Sequence, residues 1–187
     1  LSLYGELALQ DAAKAGDYFP VTAMGQPLAD YLNGALKKGR IDLAQVLWQG
    51  PLDSFPYEDN SGIFQVNAIV EQTEFLFDET WPPLEESRLQ LHFEDASMLI
   101  TGLDGHLKGQ EFEQLTAAIP YLGRGAELFI DFRVNTLPAK VSEIMAVSPL
   151  ADSVGAALDD LRVTGPVQGE VNLYIPLTEG EARARGK

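Results

Sequence analysis

Few side chains in this sequence could carry out acid–base chemistry, and they are scattered. The chain has two isolated histidines, His92 and His106, and three adjacent acid pairs, Glu58-Asp59, Glu85-Glu86 and Asp159-Asp160. A general acid–base pair needs two groups that converge on one proton, whereas neighbouring side chains on a strand point to opposite faces. We interpret the acid pairs as solvated charge and the histidines as surface residues.

The run 58–62 (EDNSG) comes closest to a metal-binding motif. It lacks the alternating oxygen ligands and the distal glutamate of a calcium loop, which favours a plain turn. The chain contains no cysteine, which excludes disulfides and thiolate metal sites. Glycine-rich phosphate loops, nucleophile elbows and zinc-binding histidine motifs are also missing from the sequence. The sequence therefore predicts a protein that is not an enzyme and has no catalytic residues, metal site or cofactor.

The composition favours an acidic, globular protein. The 187 residues include 28 acidic and 13 basic side chains, which gives a net charge of −15. Such a surface repels nucleic-acid phosphates and anionic headgroups, which argues against electrostatic docking to either. No apolar run approaches the roughly 20 residues of a membrane span. Because the chain starts at Leu1 within a strand-like stretch, we interpret it as an internal fragment of a longer protein.

Alternating apolar and polar residues predict antiparallel strands in the middle of the chain. The clearest segments are residues 63–71, 88–94, 126–134 and 170–177, separated by predicted turns at 58–62, 81–83, 103–105 and 123–125. The pattern predicts seven to nine strands with one apolar and one polar face. Five bulky residues fall on the face predicted to be polar, where we expect helices and loops to cover them: Trp48, Ile63, Ile69, Phe129 and Tyr174.

Two similar helical segments flank these strands. Residues 27–40 and 149–162 share a proline start and an apolar stripe at helical spacing. The pattern predicts helices at Pro27–Lys38, with Gly39 as the stop, and at Pro149–Leu161. Each follows a shorter helical stretch, at Ala12–Phe19 and Pro138–Met145. Self-similarity of this kind indicates a repeated structural unit.

Several ordered motifs between residues 10 and 178 resemble the YhdP proteins, AsmA-like envelope proteins of Gram-negative bacteria. The resemblance rests on a helix motif, a glycine–arginine motif, a Phe-Pro-Tyr turn and the strands that follow them. Its residues are Met24, Gly25, Tyr31, Leu32, Gly39, Arg40, Asp42, Ala44, Phe55, Pro56, Tyr57, Gly62, Phe64, Val66, Phe75, Phe77, Trp81, Pro82 and Leu84. The segment 148–177 is also similar, with Val154 where the family pattern has leucine.

The resemblance implies a fold and a function. The fold would be mainly β with helices (α+β): a curved antiparallel sheet that forms a groove, with helix pairs at repeat boundaries. The function would be transport of phospholipid between inner and outer membranes, by a periplasmic part of an inner-membrane-anchored protein. The partners would be phospholipid acyl chains and neighbouring repeats of the same chain, with no nucleic acid and with membrane contact made only outside this fragment. A non-catalytic scaffolding module that supports outer-membrane assembly and integrity stays open as the alternative.

The predicted organisation follows from these readings. Residues 1–40 would end one repeat with its helix pair, 41–135 would form the groove unit, 136–178 would hold the second helix pair and the start of the next repeat, and 179–187 would be a flexible tail. Because side chains alternate along a strand, the predicted groove lining is the following set: Phe64, Val66, Ala68, Val70, Leu89, Leu91, Phe93, Leu128, Ile130 and Phe132.

Overall fold

In the part of the chain that the structure describes, nine antiparallel strands form one sheet whose spatial order follows the chain order. The computed structural model describes residues 1–19, 21, 25–122, 125–149, 151, 165–176 and 183–186. The strands are β1 (Ser2–Leu9), β2 (Leu36–Gln49), β3 (Ile63–Phe75), β4 (Leu84–Glu94), β5 (Ser97–Leu107), β6 (Gln110–Ile119), β7 (Glu127–Thr136), β8 (Val167–Pro176) and β9 (Arg183–Gly186). β1 and β9 stand at opposite edges, so the sheet is open. This confirms the prediction of a mainly antiparallel β fold with helices.

The sheet is curved, and its strands are repeatedly interrupted by bulges. Register shifts occur between β1 and β2, β2 and β3, β3 and β4, β4 and β5, and β6 and β7. A bulge bends its strand and increases the local twist. The bulges therefore give the open sheet the curvature that a groove requires.

Within the described residues, the α-helices and one 3-10 helix lie in the connections β1–β2 and β7–β8, which reach the same end of the sheet, and a short 3-10 helix at Leu52–Ser54 lies in the β2–β3 connection at the opposite end. A 3-10 helix spans Ala12–Tyr18, and its first turn is capped by the Asp11 side chain. The α-helices are α1 (Gln26–Ala35) and α2 (Pro138–Met145), each with a proline in its first turn. The short helix before α1 and the bounds of α2 confirm two of the four predicted helical segments. Pro149–Leu161, the fourth, lies almost entirely outside the described residues.

The predicted end of the helix at Lys38 is wrong. Helix α1 ends at Ala35, and Leu36 already has the extended backbone of β2. The predicted stop residue, Gly39, has φ +136° and forms part of a bulge in β2. A β-carbon at this position would lie 2.9 Å from Val70 Cγ1, so the close approach of β3 explains the glycine.

Other sequence predictions also differ from the structure. The stretch 103–105 is not a turn but lies within β5, where Gly105 has φ +142° and faces Ser87. Trp48 lies on the apolar face, because it pairs with Phe64. Ile69 and Phe129 are on the polar face as predicted, but 40% and 39% exposed rather than covered. Residues 183–186 pair with β8 instead of belonging to a flexible tail, because β8 offers them an edge.

Candidate functional site

One face of the sheet collects the apolar side chains of β3–β8. Across β3 and β4, Val66 pairs with Phe93 and Val70 with Leu89. A single register row then continues across the sheet through Ala68, Leu91, Ile100, Ala117, Ile130 and Leu173. The ten residues predicted to line a groove therefore share one face, which we name the apolar face. Their contact with lipid stays a prediction.

Burial divides the ten predicted residues into two groups. Seven are buried: Phe64, Ala68, Val70, Leu89, Leu128, Ile130 and Phe132. Val66, Leu91 and Phe93 are half-buried. The contrast is sharp on β4, where Leu89 is 1% exposed and Leu91, on the same face one pleat further along, is half-buried. The apolar face is thus partly covered by protein and partly open.

The covered part comprises the end of the sheet that carries α1 and α2 and also β5–β8, where Met98, Ile119 and Leu128 at the opposite strand ends are buried as well. It forms one cluster of buried side chains with contributions from α1, from the loop after β3 and from α2: Leu32, Ala35, Phe77, Trp81, Ile144 and Met145. A second, smaller cluster joins the 3-10 helix to β2 and β3 through Ala12, Ile41, Ala44, Ala68 and Val70. Leu91 packs against both clusters. This part of the face is covered by side chains of the protein itself.

The open part crosses β2, β3 and β4. We name as the open stripe the half-buried residues Val46, Trp48, Val66, Leu91 and Phe93. Val66 pairs with Val46 on one side and with Phe93 on the other, so the stripe is continuous across three strands. With strands about 4.8 Å apart it is about 10 Å wide. It offers apolar carbon and no charged side chain, which suits methylene chains rather than polar substrates.

Val46 and Trp48 were missed in the predicted lining. The signal was present, because Ala44, Val46 and Trp48 alternate along β2. A register shift between Ile41 and Ala44 interrupts that alternation. A bulge moves every following side chain to the other face relative to a simple count, which explains why Trp48 was assigned to the polar side.

An aromatic cluster bounds the open stripe at the strand ends opposite α1 and α2. The Trp48 ring lies 4.9 Å from the Phe64 ring and 5.8 Å from the Phe55 ring, measured between centroids. The Trp48 indole Nε1 donates a hydrogen bond of 2.7 Å to the hydroxyl of Tyr57, a buried residue. A buried tryptophan or tyrosine with a satisfied polar atom is held in one orientation. The loop 50–62 therefore forms a fixed rim.

Hydrogen bonds connect α1 to the segment that follows β3. The Leu76 amide donates to the Ala35 carbonyl at 2.7 Å, and the Tyr31 hydroxyl donates to the Phe77 carbonyl at 3.2 Å. Desolvation, with a smaller contribution from the Asp78 carboxylate, raises the pKa of Tyr31 well above its ordinary value. The proton that makes this hydrogen bond is therefore retained throughout the neutral range.

The opposite face of the sheet carries His92 and charged side chains, which are the residue types that acid–base chemistry requires. His92 Nδ1 lies 2.6 Å from Asn67 Oδ1, and its Nε2 lies 3.5 Å from a Glu94 oxygen. Arg88 lies between Glu71 and Asp104, at 3.8 and 3.9 Å. All of these contacts are solvent-exposed or half-buried, and all except the one between His92 and Glu94, which lie on the same strand, run across neighbouring strands. The contacts between strands are the cross-strand polar pairs expected of a sheet face in water.

The acid pairs do not form a dyad where they are described. Hydrogen bonds from the Ser61 hydroxyl and amide lower the pKa of Asp59, as in an ordinary turn. Glu85 and Glu86 are exposed, while Asp159 and Asp160 lie outside the described residues. Within the described ranges, no group of three acidic or histidine side chains is arranged to hold a metal ion.

Comparison with known proteins identifies relatives of this chain. The family model described as YhdP protein matches residues 1–187. The chain is 32% identical over 187 residues to the intermembrane phospholipid transporter YhdP of Escherichia coli strain K12; the match covers 100% of this chain and 15% of that relative. No solved structure matches. None of the helices in the described ranges is both long and apolar enough to span a membrane. Since the family model matches the chain from end to end, this chain belongs to the YhdP family.

Proposed function

We propose that this chain is one segment of a protein that carries phospholipid between inner and outer membranes, with acyl chains lying on the open stripe. The observation that carries the proposal is that Val66, Leu91 and Phe93 are half-buried, whereas Val70 and Leu89 on the same face are closed off by protein. An apolar strip left open by its own protein is a surface for an apolar partner. Each acyl methylene that leaves water there contributes about 0.8 kcal/mol. The similarity to a phospholipid transporter supports the same reading.

The open sheet also fits a role as one unit among several. β1 and β9 each pair on one side within the described sheet, and an unpaired strand edge can accept a further strand. We propose that neighbouring repeats of the same chain add strands at these edges, so that the apolar face continues beyond residues 1–187. The boundaries proposed from the sequence, at 40, 135 and 178, belong to this proposal. So does a periplasmic location within an inner-membrane-anchored protein.

A scaffolding module is the second candidate, and one observation favours it. Seven of the ten predicted lining residues are buried, as they would be in a sheet that only supports its neighbours. Such a module would bind no lipid and would support outer-membrane assembly through its surfaces. The two candidates differ in one measurable respect: whether a phospholipid acyl chain contacts the open stripe.

Crosslinking with a phospholipid that bears a photoreactive acyl chain tests the proposal. We expect adducts on Val66, Leu91 and Phe93 after proteolysis and mass spectrometry. Gln65 and Asn67 serve as matched controls, because they alternate with Val66 on β3 and belong to the opposite face. Adducts distributed equally over both faces, or none together with no co-purified lipid, would instead support the scaffold.

A further inference from the structure

Helix α2 is anchored to the apolar face by two side chains. Ile144 is 2% and Met145 4% exposed, and both belong to the same apolar cluster as Phe132 and Val134 of β7. Elsewhere on the helix, Lys140 pairs with Glu143 at 2.8 Å within the helix itself. The anchor of α2 is therefore apolar, of the same chemistry as an acyl chain.

The two α-helices of the described residues differ in how they are attached to the rest of the protein. Helix α1 is tied to the chain after β3 by hydrogen bonds to Ala35 and from Tyr31. For α2, in the part of the chain that is described, the polar contacts of residues 138–145 run within the helix or to its flanking residues. The strand before it is fixed, because the Thr136 hydroxyl lies 2.6 Å from Gln110 Oε1. Movement of α2 would therefore begin after Thr136, at the exposed Leu137.

The length of α2 makes it dependent on this anchor. It has eight residues, and helices shorter than about 12–15 residues are marginal in water unless packing supports them. Segments with few buried contacts open at a lower free energy than the rest of the fold. A ligand that occupies the same apolar surface would shift α2 towards its released state.

We propose that α2 is a lid over an acyl-chain subsite on the apolar face, and that a phospholipid acyl chain displaces Ile144 and Met145 from it. The subsite extends the lipid path from the open stripe into the covered part, so this inference rests on the proposed function. The displaced helix loses its packing and melts. A segment without lipid thereby keeps this subsite covered, and a segment with bound lipid uncovers it.

Thiol labelling tests the lid directly, because the chain contains no cysteine. The reporter is Met145→Cys and the control is Leu32→Cys on α1; both native side chains are 4% exposed. Ile144→Cys is a second reporter if Met145→Cys fails to fold. Each variant of the 187-residue chain is labelled with and without diheptanoylphosphatidylcholine, kept below its micelle concentration so that the lipid is monomeric. We expect the lipid to accelerate labelling at position 145 by about tenfold or more and to leave position 32 unchanged.

The outcomes separate the lid from the proposed function. Unchanged labelling at 145 while the lipid shifts the fluorescence emission of Trp48 would refute the lid and leave the lipid path standing. Faster labelling at both positions would mean general loosening and would also refute the lid. If the lipid binds nowhere, both proposals fail together.

A substitution distinguishes a lid from a direct lipid contact. Met145→Ser weakens the anchor of α2, so a lid predicts that more phospholipid is retained per chain, by about tenfold at subsaturating lipid. If Met145 instead lined the lipid path, the same change would reduce retention, and the lid assignment would be overturned.

Discussion

Aspartate substitutions at two leucines of β4 should have opposite consequences. Leu89 and Leu91 lie on the same face of one strand, but Leu89 is 1% exposed and Leu91 is half-buried in the open stripe. Leu89→Asp removes the stabilisation that comes from burying a leucine side chain, which is about 1.5–3 kcal/mol. It also encloses an unpaired carboxylate, at a further cost of several kcal/mol. The sum is comparable with the roughly 5–15 kcal/mol that stabilises an ordinary domain, so we expect this variant not to fold.

Leu91→Asp should fold. Its carboxylate can stay hydrated on the open side of the stripe. The free energy of unfolding should therefore fall only by about half of what a fully buried leucine contributes, roughly 1 kcal/mol. We expect a lower urea midpoint with an unchanged slope. Lipid retention should fall strongly, because the charge lies in the proposed acyl path and would have to be desolvated. Gln90→Asp, on the exposed opposite face between the two leucines, is the control and should be within about 0.5 kcal/mol of the parent.

Urea unfolding followed by circular dichroism, together with lipid retention measured by mass spectrometry, checks both variants. If Leu91→Asp fails to fold as completely as Leu89→Asp, the stripe is part of a closed core and the scaffold becomes the better account. If Leu91→Asp folds and retains as much lipid as the parent, the stripe is not the acyl path.

Two further substitutions test how the covered part is built. Tyr31→Phe removes the hydrogen bond to the Phe77 carbonyl and should cost about 1 kcal/mol at neutral pH. The folded state raises the pKa of Tyr31 above its ordinary value of 10.0, so the stability linked to this proton is present below pH 10 and is lost as the pH rises further. The urea midpoint of the variant should therefore fall less steeply above pH 10 than that of the parent. Midpoints that fall equally steeply with pH in both proteins would contradict this. Gly105→Ala should destabilise the folded protein by about 1–3 kcal/mol, because φ is +142° and the new β-carbon would lie 2.1 Å from Ser87 Oγ. An unchanged thermal midpoint would show instead that the backbone relaxes at this bulge without cost.

The sequence predicted those parts of the fold that depend on local pattern. The alternation in residues 63–71 and 126–134 identified β3 and β7, and the proline start identified α2. Prediction from the sequence failed where a bulge or a tertiary contact determines the local backbone conformation. Gly39 ends helices in isolation, but here it allows β3 to approach β2 closely. Gly105 suggested a turn for a similar reason, although it lies inside β5.

The site was predictable as a face but not as an open surface. Alternation places Leu89 and Leu91 on the same side of β4, and the observed register agrees. Periodicity carries no information about which of the two is covered, because the cover comes from residues distant in sequence, such as Trp81 and Met145. The bulge in β2 places Trp48 on the apolar face, and simple alternation along the sequence does not predict that bulge.

Fluorescence quenching by a phospholipid with brominated acyl chains tests the central claim most directly. The chain has two tryptophans: Trp48 is half-buried in the open stripe, and Trp81 is 5% exposed in the covered part. Trp81→Phe leaves Trp48 as the single reporter, and Trp48→Phe leaves Trp81. Because bromine quenches an indole only at close range, a lipid path along the stripe predicts strong, saturable quenching of Trp48 and much weaker quenching of Trp81. Absence of quenching at Trp48, or stronger quenching of Trp81 than of Trp48, would contradict the assignment of the stripe as the acyl path.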